Sequence, residues 1–207
     1  MASVSKPNAD TLLELMKGRR SYYALSKDLP ISKDRIQEII QEALRQTPSS
    51  FNSQSNRVVV LFGDEHDKFW AIVSDTLKAI VPADNWEATE KRMAMFKAGS
   101  GSILFFEDSS VVETFQSKFA LYADRFPVWA AQSVGMLQFA LWTALESEGL
   151  GANLQHYNPI VDEKVAETWK IPATWKLNAQ LVFGGRAGEA GPKDYLPLEE
   201  RYRVYGA

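Results

Sequence analysis

An α+β fold, with helices packed around a small mixed β-sheet, is predicted by three features of the sequence. Segments with helical periodicity outnumber β-branched runs. They do not follow the strict strand–helix–strand order of a doubly wound sheet. The stretch from Pro127 to Glu148, "PVWAAQSVGMLQFALWTALESE", is apolar nearly all round, which marks a helix covered on most sides. No repeat, low-complexity tract or linker divides the chain, so a single domain over residues 1–207 is expected. Full cover for so long an apolar helix suggests that a second subunit supplies part of it.

"NADTLLELMK" carries Leu12, Leu13, Leu15 and Met16 as a plausible helix face, with Gly18 placed to close the helix in the left-handed conformation. "ISKDRIQEIIQEALRQT" is the clearest helix: Ser32 can cap it, Ile36, Ile39, Ile40, Ala43 and Leu44 share a face, and it stops before Pro48. "RVVVLFG" is a β-branched run ending in glycine, hence a buried strand. Asp64 then opens a helix carrying Trp70, Val73, Leu77 and Ile80, and "NWEATEKRMAMFKAG" forms the next, closed by Gly99. "GSGS", Gly99 to Ser102, reads as a turn. "SILFFED" is a second strand and "SSVVETFQSKF" a helix. After the long apolar helix comes the glycine-led segment "GLGANLQHYNP", in which Asn158 before Pro159 suits a turn. "DEKVAETWK" is a short helix, "WKLNAQLVFGG" a third strand, and "KDYLPLEERYRVYGA" an extended arm.

Composition excludes much. The chain is 45% hydrophobic and 24% charged, an ordinary soluble balance. No apolar run reaches the roughly 18 residues of a membrane span, and "MASVSKPNAD" has no signal core. With no cysteine there is neither disulfide nor thiolate chemistry, which permits a reducing cytoplasmic setting. A net charge of -3 argues against a general nucleic-acid partner. The two histidines, His66 and His156, have no metal-type companions, and no phosphate-loop or dinucleotide fingerprint is present. His66, beside the acidic "GDEHD", reads as a surface residue. Ser49 and Ser50 lack a nucleophile setting. Side chains so poorly supplied for acid–base work point toward a borrowed cofactor.

Two segments carry the chemistry. In "MKGRRSYYALS", Arg19, Arg20 and Ser21 set two guanidinium forks beside a hydroxyl, which suits a phosphate or a carboxylate; the same residues also make an ordinary solvated turn. In "TPSSFNSQSNRVVVL", Asn52, Gln54 and their serine neighbours can donate to and accept from the edge of a heterocycle such as a flavin, or simply fill a turn.

"RRSYY", "PSSFNSQ", "EGLGANLQHY" and "GPKDYLPLEER" occur in the order and approximate spacing of the nitroreductase family, which this chain resembles over nearly its whole length. "FPVWAAQSVGMLQFALWTALESEGLGANLQHYNP" is most similar to a small fungal and bacterial subgroup tied to oxidative-stress and lipid responses. The resemblance implies an FMN held at the interface of an intertwined homodimer with exchanged C-terminal arms. It further implies that Arg19 and Ser21 hold the phosphate and ribityl chain, that Arg20 touches the phosphate or the pyrimidine side, and that Lys193 reaches the phosphate from the C-terminal segment. Asn52 would lie by the ring, Gln54 would orient its loop, and Gln155 and His156 would fall where a backbone N–H meets the hydride-accepting nitrogen. Three positions depart from the family pattern: Tyr23 and Tyr195 stand where basic residues are common, and Ser55–Asn56 replaces Pro-Trp.

The implied activity is hydride transfer from NADH or NADPH through the flavin to a nitroaromatic or quinone acceptor by a ping-pong mechanism, with no catalytic side chain required. Trp129 and Gln132 are candidates to line the acceptor pocket, and Phe119, Tyr122 and Phe126 to form a flap; core or subunit-interface packing is the competing role for the tryptophan. A flavin-binding redox or lipid-signal sensor with little turnover, and a cofactor-free structural dimer, are the alternatives.

Overall fold

A computed structural model describes residues 8–207. Its elements run α1 (Ala9–Gly18), β1 (Leu25–Ser26), α2 (Lys33–Gln46), β2 (Asn56–Phe62), α3 (Asp64–Lys78), α4 (Ala83–Lys97), β3 (Gly101–Asp108), α5 (Ser109–Lys118), α6 (Phe126–Ser147), β4 (Gly151–Gln155), α7 (Asp162–Trp169) and β5 (Trp175–Arg186). The α+β class is as the sequence predicts. The sheet, however, is not mixed: every pairing is antiparallel, in the order β1-β5-β3-β2 with β4 on the other side of β5.

The sheet lies between two helical layers, and the alternation of strand side chains explains why. Ile103 and Phe105 of β3, with Ala179, Leu181 and Phe183 of β5, pack on Ile36 and Ile40 of α2 and Leu137, Leu141 and Leu145 of α6. Leu104, Phe106 and Val182 point the other way, onto Phe69, Trp70 and Val73 of α3 and Met93 and Phe96 of α4. A strand buried on both faces has no polar side to show, hence the continuous apolar run at Ile103 to Phe106.

Several elements differ from expectation. Gly18 is the last helical residue and not a left-handed cap; Arg19 leaves the helix extended, at φ -67 and ψ 118, its N–H bonded to the Leu15 carbonyl. α1 packs on α6, yet none of its residues is buried, and Leu12, Leu13, Leu15 and Met16 stay exposed among the described residues. Of the predicted turn only Gly99 and Ser100 bend the chain; Gly101 opens β3, paired with Phe183 and Phe62, and glycine is required there because a Cβ would come within 2.3 Å of the Phe183 ring. "GANLQ" is a strand, held by pairing with β5 despite having no β-branched residue. His66 is not at the surface but fully buried. The long helix α6, as expected, is covered on most sides but not all: Val128, Gln132, Met136 and Phe139 form an exposed stripe. The Asn158–Pro159 bond is cis and lies in a turn. Beyond Arg186 the chain is irregular and exposed except at Ala190, which packs against the core, and holds one 3-10 turn at Leu198–Glu200.

Candidate functional site

The two candidate segments are fastened to opposite ends of α6. At its C-terminal end Glu146, 5% exposed, accepts the Arg20 N–H at 2.8 Å on Oε2 and the Trp142 Nε1–H at 2.7 Å on Oε1. Burial pushes this carboxyl up, opposed by the Arg20 N–H, the Trp142 N–H, and the charges of Arg186 and Arg19. The Arg19 guanidinium lies 4.3 Å from the centre of the Trp142 ring, a cation–π contact. Downstream, the Tyr22 N–H donates to the Ala152 carbonyl and Asn153 Nδ2 donates to the Tyr22 carbonyl at 2.8 Å. Residues 19–22 are therefore strapped to α6 and β4.

The chain after β5 returns to this loop. Ala187 donates its N–H to the Ala24 carbonyl, and Arg20 Nη2 bonds the Gly191 carbonyl. A cleft of about 260 Å³ results, lined by Arg19, Arg20, Ser21, Tyr23, Pro192 and Lys193. Three cations and a hydroxyl around one cleft form a donor set for a phosphate or other anion. Tyr23 also borders a second cleft, of about 350 Å³, that contains Arg92, Met95, Phe96 and Gln155. Gln155 Nε2 donates to Asn153 Oδ1 at 2.9 Å, while His156 is exposed. Buried Gln180 accepts the Tyr157 N–H at 2.8 Å and donates to Asn158, which holds the backbone just beyond His156.

The N-terminal half of α6 holds the other segment. Ser133 Oγ donates to the Pro48 carbonyl at 2.8 Å and accepts from Asn56 Nδ2 at 3.0 Å. Between these anchors Phe51, Asn52 and Gln54 all take left-handed backbone conformations, at φ 55, 52 and 53. Asparagine tolerates that region; phenylalanine rarely does, so packing must hold it there. The Phe51 ring supplies the packing, 4.7 Å from Phe119, 5.6 Å from Phe126 and 6.2 Å from Trp129, and Tyr122 joins Trp129 at 6.3 Å. Gln132 is exposed on the next turn. A groove of about 400 Å³ runs from this loop along the edge strand β2, lined by Gln41, Leu44, Arg45, Gln54, Asn56 and Arg57.

Of the residues singled out in the sequence, the structure gathers Arg19, Arg20, Ser21 and Lys193 in one cleft, with Gln155 in its neighbour. Asn52, Gln54, Phe119, Tyr122, Trp129 and Gln132 gather elsewhere. Ser133 and Glu146, which anchor the two groups, are separated by about 20 Å of helix. Glu146 and Trp142 were not recognisable as site residues, although Glu146 is the first acid in an otherwise apolar run and so signalled a buried charge. Among the described residues there is no cluster of potential metal ligands and no helix long and apolar enough to cross a membrane.

The architecture thus defines an α+β domain: an antiparallel sheet between helical layers, with a cationic cleft beside its first strand. The chain belongs to the nitroreductase family, whose model matches residues 16–185, and as such is an oxidoreductase. It is similar to HBN1 of Saccharomyces cerevisiae, at 40% identity over 90% of this chain and 93% of that one. It is also similar to the nitroreductase CinD of Lactococcus lactis, with TM-score 0.88 and 46% identity over 94% of this chain and 99% of that one. CinD has been solved with nicotinic acid, chloramphenicol and 4-nitrophenol. A nitroreductase-fold protein of Desulfovibrio desulfuricans, solved with FMN, shares the fold at TM-score 0.69 and 19% identity over 98% of this chain and 99% of that one.

Proposed function

We propose that this single-domain protein is an FMN-dependent homodimeric oxidoreductase acting on nitroaromatic or quinone-type acceptors. The convergence of Arg19, Arg20, Ser21 and Lys193 on one cleft carries the reading. Their chemistry fits the phosphate of FMN: charge-assisted hydrogen bonds to such an anion are each worth about 1.5–3 kcal/mol. Bound there, FMN would accept a hydride from NADH or NADPH and reduce the acceptor in a ping-pong sequence. The protein's own contribution is to grip the anion, orient the ring through Asn52, Gln54 and the backbone around Gln155 and His156, and wall off solvent with the aromatic cluster at Phe119, Tyr122 and Trp129. Gln132, exposed beside that cluster, would face the acceptor.

A second subunit reconciles the separation of the two groups. The exposed stripe of α6 is apolar at Val128, Met136 and Phe139, and α1, which packs on α6, exposes Leu12, Leu13, Leu15 and Met16. Pairing this face with its copy, the two α6 helices antiparallel, would bring the Asn52 loop of one chain to the arginine cleft of the other. The C-terminal arm exposes Tyr195, Leu196, Leu198 and Tyr202, apolar surface that exchange onto the partner's β2 groove would cover.

The test is the visible spectrum of freshly purified protein, before and after addition of NADH or NADPH, followed by nicotinamide oxidation with menadione or a nitrofuran. A flavin spectrum that bleaches, with sustained turnover, is expected. A bleachable flavin without turnover would identify a sensor, and a colourless protein that takes up no FMN would remove the reading.

A further inference from the structure

Building on the FMN reading, we infer that Glu146 and Trp142 are positioning residues that pre-set the two arginines for a phosphate and thereby make the site select a phosphorylated flavin over a phosphate-free one. One buried carboxylate controls both arginines by separate routes. Oε2 fixes the backbone of Arg20 through its N–H at 2.8 Å, and Oε1 fixes the Trp142 indole at 2.7 Å. The indole is the platform on which the Arg19 guanidinium rests, at 4.3 Å. The geometry is anchored behind as well: Arg186 donates to the Glu146 and Leu150 carbonyls at 3.0 Å and covers the Tyr22 ring at 4.4 Å, fixing the far end of the same loop.

Left free, two adjacent arginines repel each other and sample many rotamers, and holding them in place before the ligand arrives removes part of the ordering cost of binding. The buried negative charge also offsets the repulsion, which favours keeping both side chains at one cleft. A glutamine in place of Glu146 has the same shape but only one acceptor oxygen. It can serve Arg20 or Trp142, and its amide N–H₂ then confronts the other donor.

The experiment compares the affinities of apoprotein for FMN and for riboflavin, by flavin fluorescence, in wild type, Glu146→Gln and Trp142→Phe. The phenylalanine variant keeps a ring beneath Arg19 but leaves Glu146 Oε1 without its donor, and it tests the idea even if the glutamine variant does not fold. The expected result is that Glu146→Gln weakens FMN binding about tenfold, Trp142→Phe about threefold, and riboflavin binding stays within about twofold in both. Equal losses for the two flavins would indicate a merely structural role and overturn the inference. So would unchanged FMN preference in both variants, while the FMN reading itself would stand. Wild-type protein that binds neither flavin would overturn both.

Discussion

Acidification should destabilise the protein through His66 well before most carboxylates are protonated. The ring is fully buried beneath α3: Nδ1 lies 2.9 Å from Ser102 Oγ and Nε2 3.3 Å from the Lys97 carbonyl, while Trp70 Nε1 donates to the same serine at 3.0 Å. A carbonyl can only accept, so Nε2 carries the proton, Ser102 donates to Nδ1, and the chain of bonds is complete with a neutral imidazole. Burial, reinforced by the charge of Lys27 and opposed by Asp67, depresses its pKa from 6.5 to about 4. Between those values the unfolded chain holds a proton that the folded one refuses. Stability is therefore fully present above pH 6.5 and drains away as the pH falls toward 4. From pH 7.5 to pH 4.5 this amounts to about 2.5 kcal/mol, a large share of a typical domain's stability. Urea titrations of wild type and His66→Gln at matched flavin content measure it, because the amide cannot titrate and the difference between the two slopes isolates the imidazole. If both proteins lose the same stability over that range, the ring is protonated in the folded state and the reasoning fails.

Other outcomes can be measured directly. Arg19→Ala combined with Lys193→Ala should weaken FMN binding by at least about 100-fold, read by flavin fluorescence, since two charge-assisted contacts are lost; unchanged affinity would remove the phosphate assignment. Phe139→Glu, which sets a charge in the exposed apolar stripe, should break the proposed dimer into monomers in sedimentation, with dimer affinity falling by more than about 100-fold. Leu141→Ala, between α6 and the sheet, should cost about 2–5 kcal/mol in urea unfolding with little change in flavin preference.

Much of the fold was legible because its signals are local. Ser32 caps α2 through a bond from the Arg35 N–H, and the β-branched run from Val58 to Val60 is a strand. β4 was not, because "GANLQ" has no strand propensity and exists only through the edge that β5 offers it. His66 was misread for a related reason: its acidic neighbours Asp64, Glu65 and Asp67 face outward on α3 while the histidine turns inward, and only tertiary packing distinguishes those faces. At the candidate site, the grouping of Arg19, Arg20, Ser21 and Lys193 was implied by the family resemblance, and one cleft holds all four. The carboxylate beneath them did not, since a contact spanning 126 residues leaves no periodic trace.

The double anchorage of α6 makes that helix a ruler. Pro48 and Asn56 clasp it at Ser133, and Arg20 clasps it at Glu146. One residue inserted between these marks would swing the far mark by about 100° and advance it about 1.5 Å, uncoupling the arginine loop while leaving every loop sequence intact. Changes of length should therefore be absorbed readily in the connection at residues 79–82 and hardly at all within this helix.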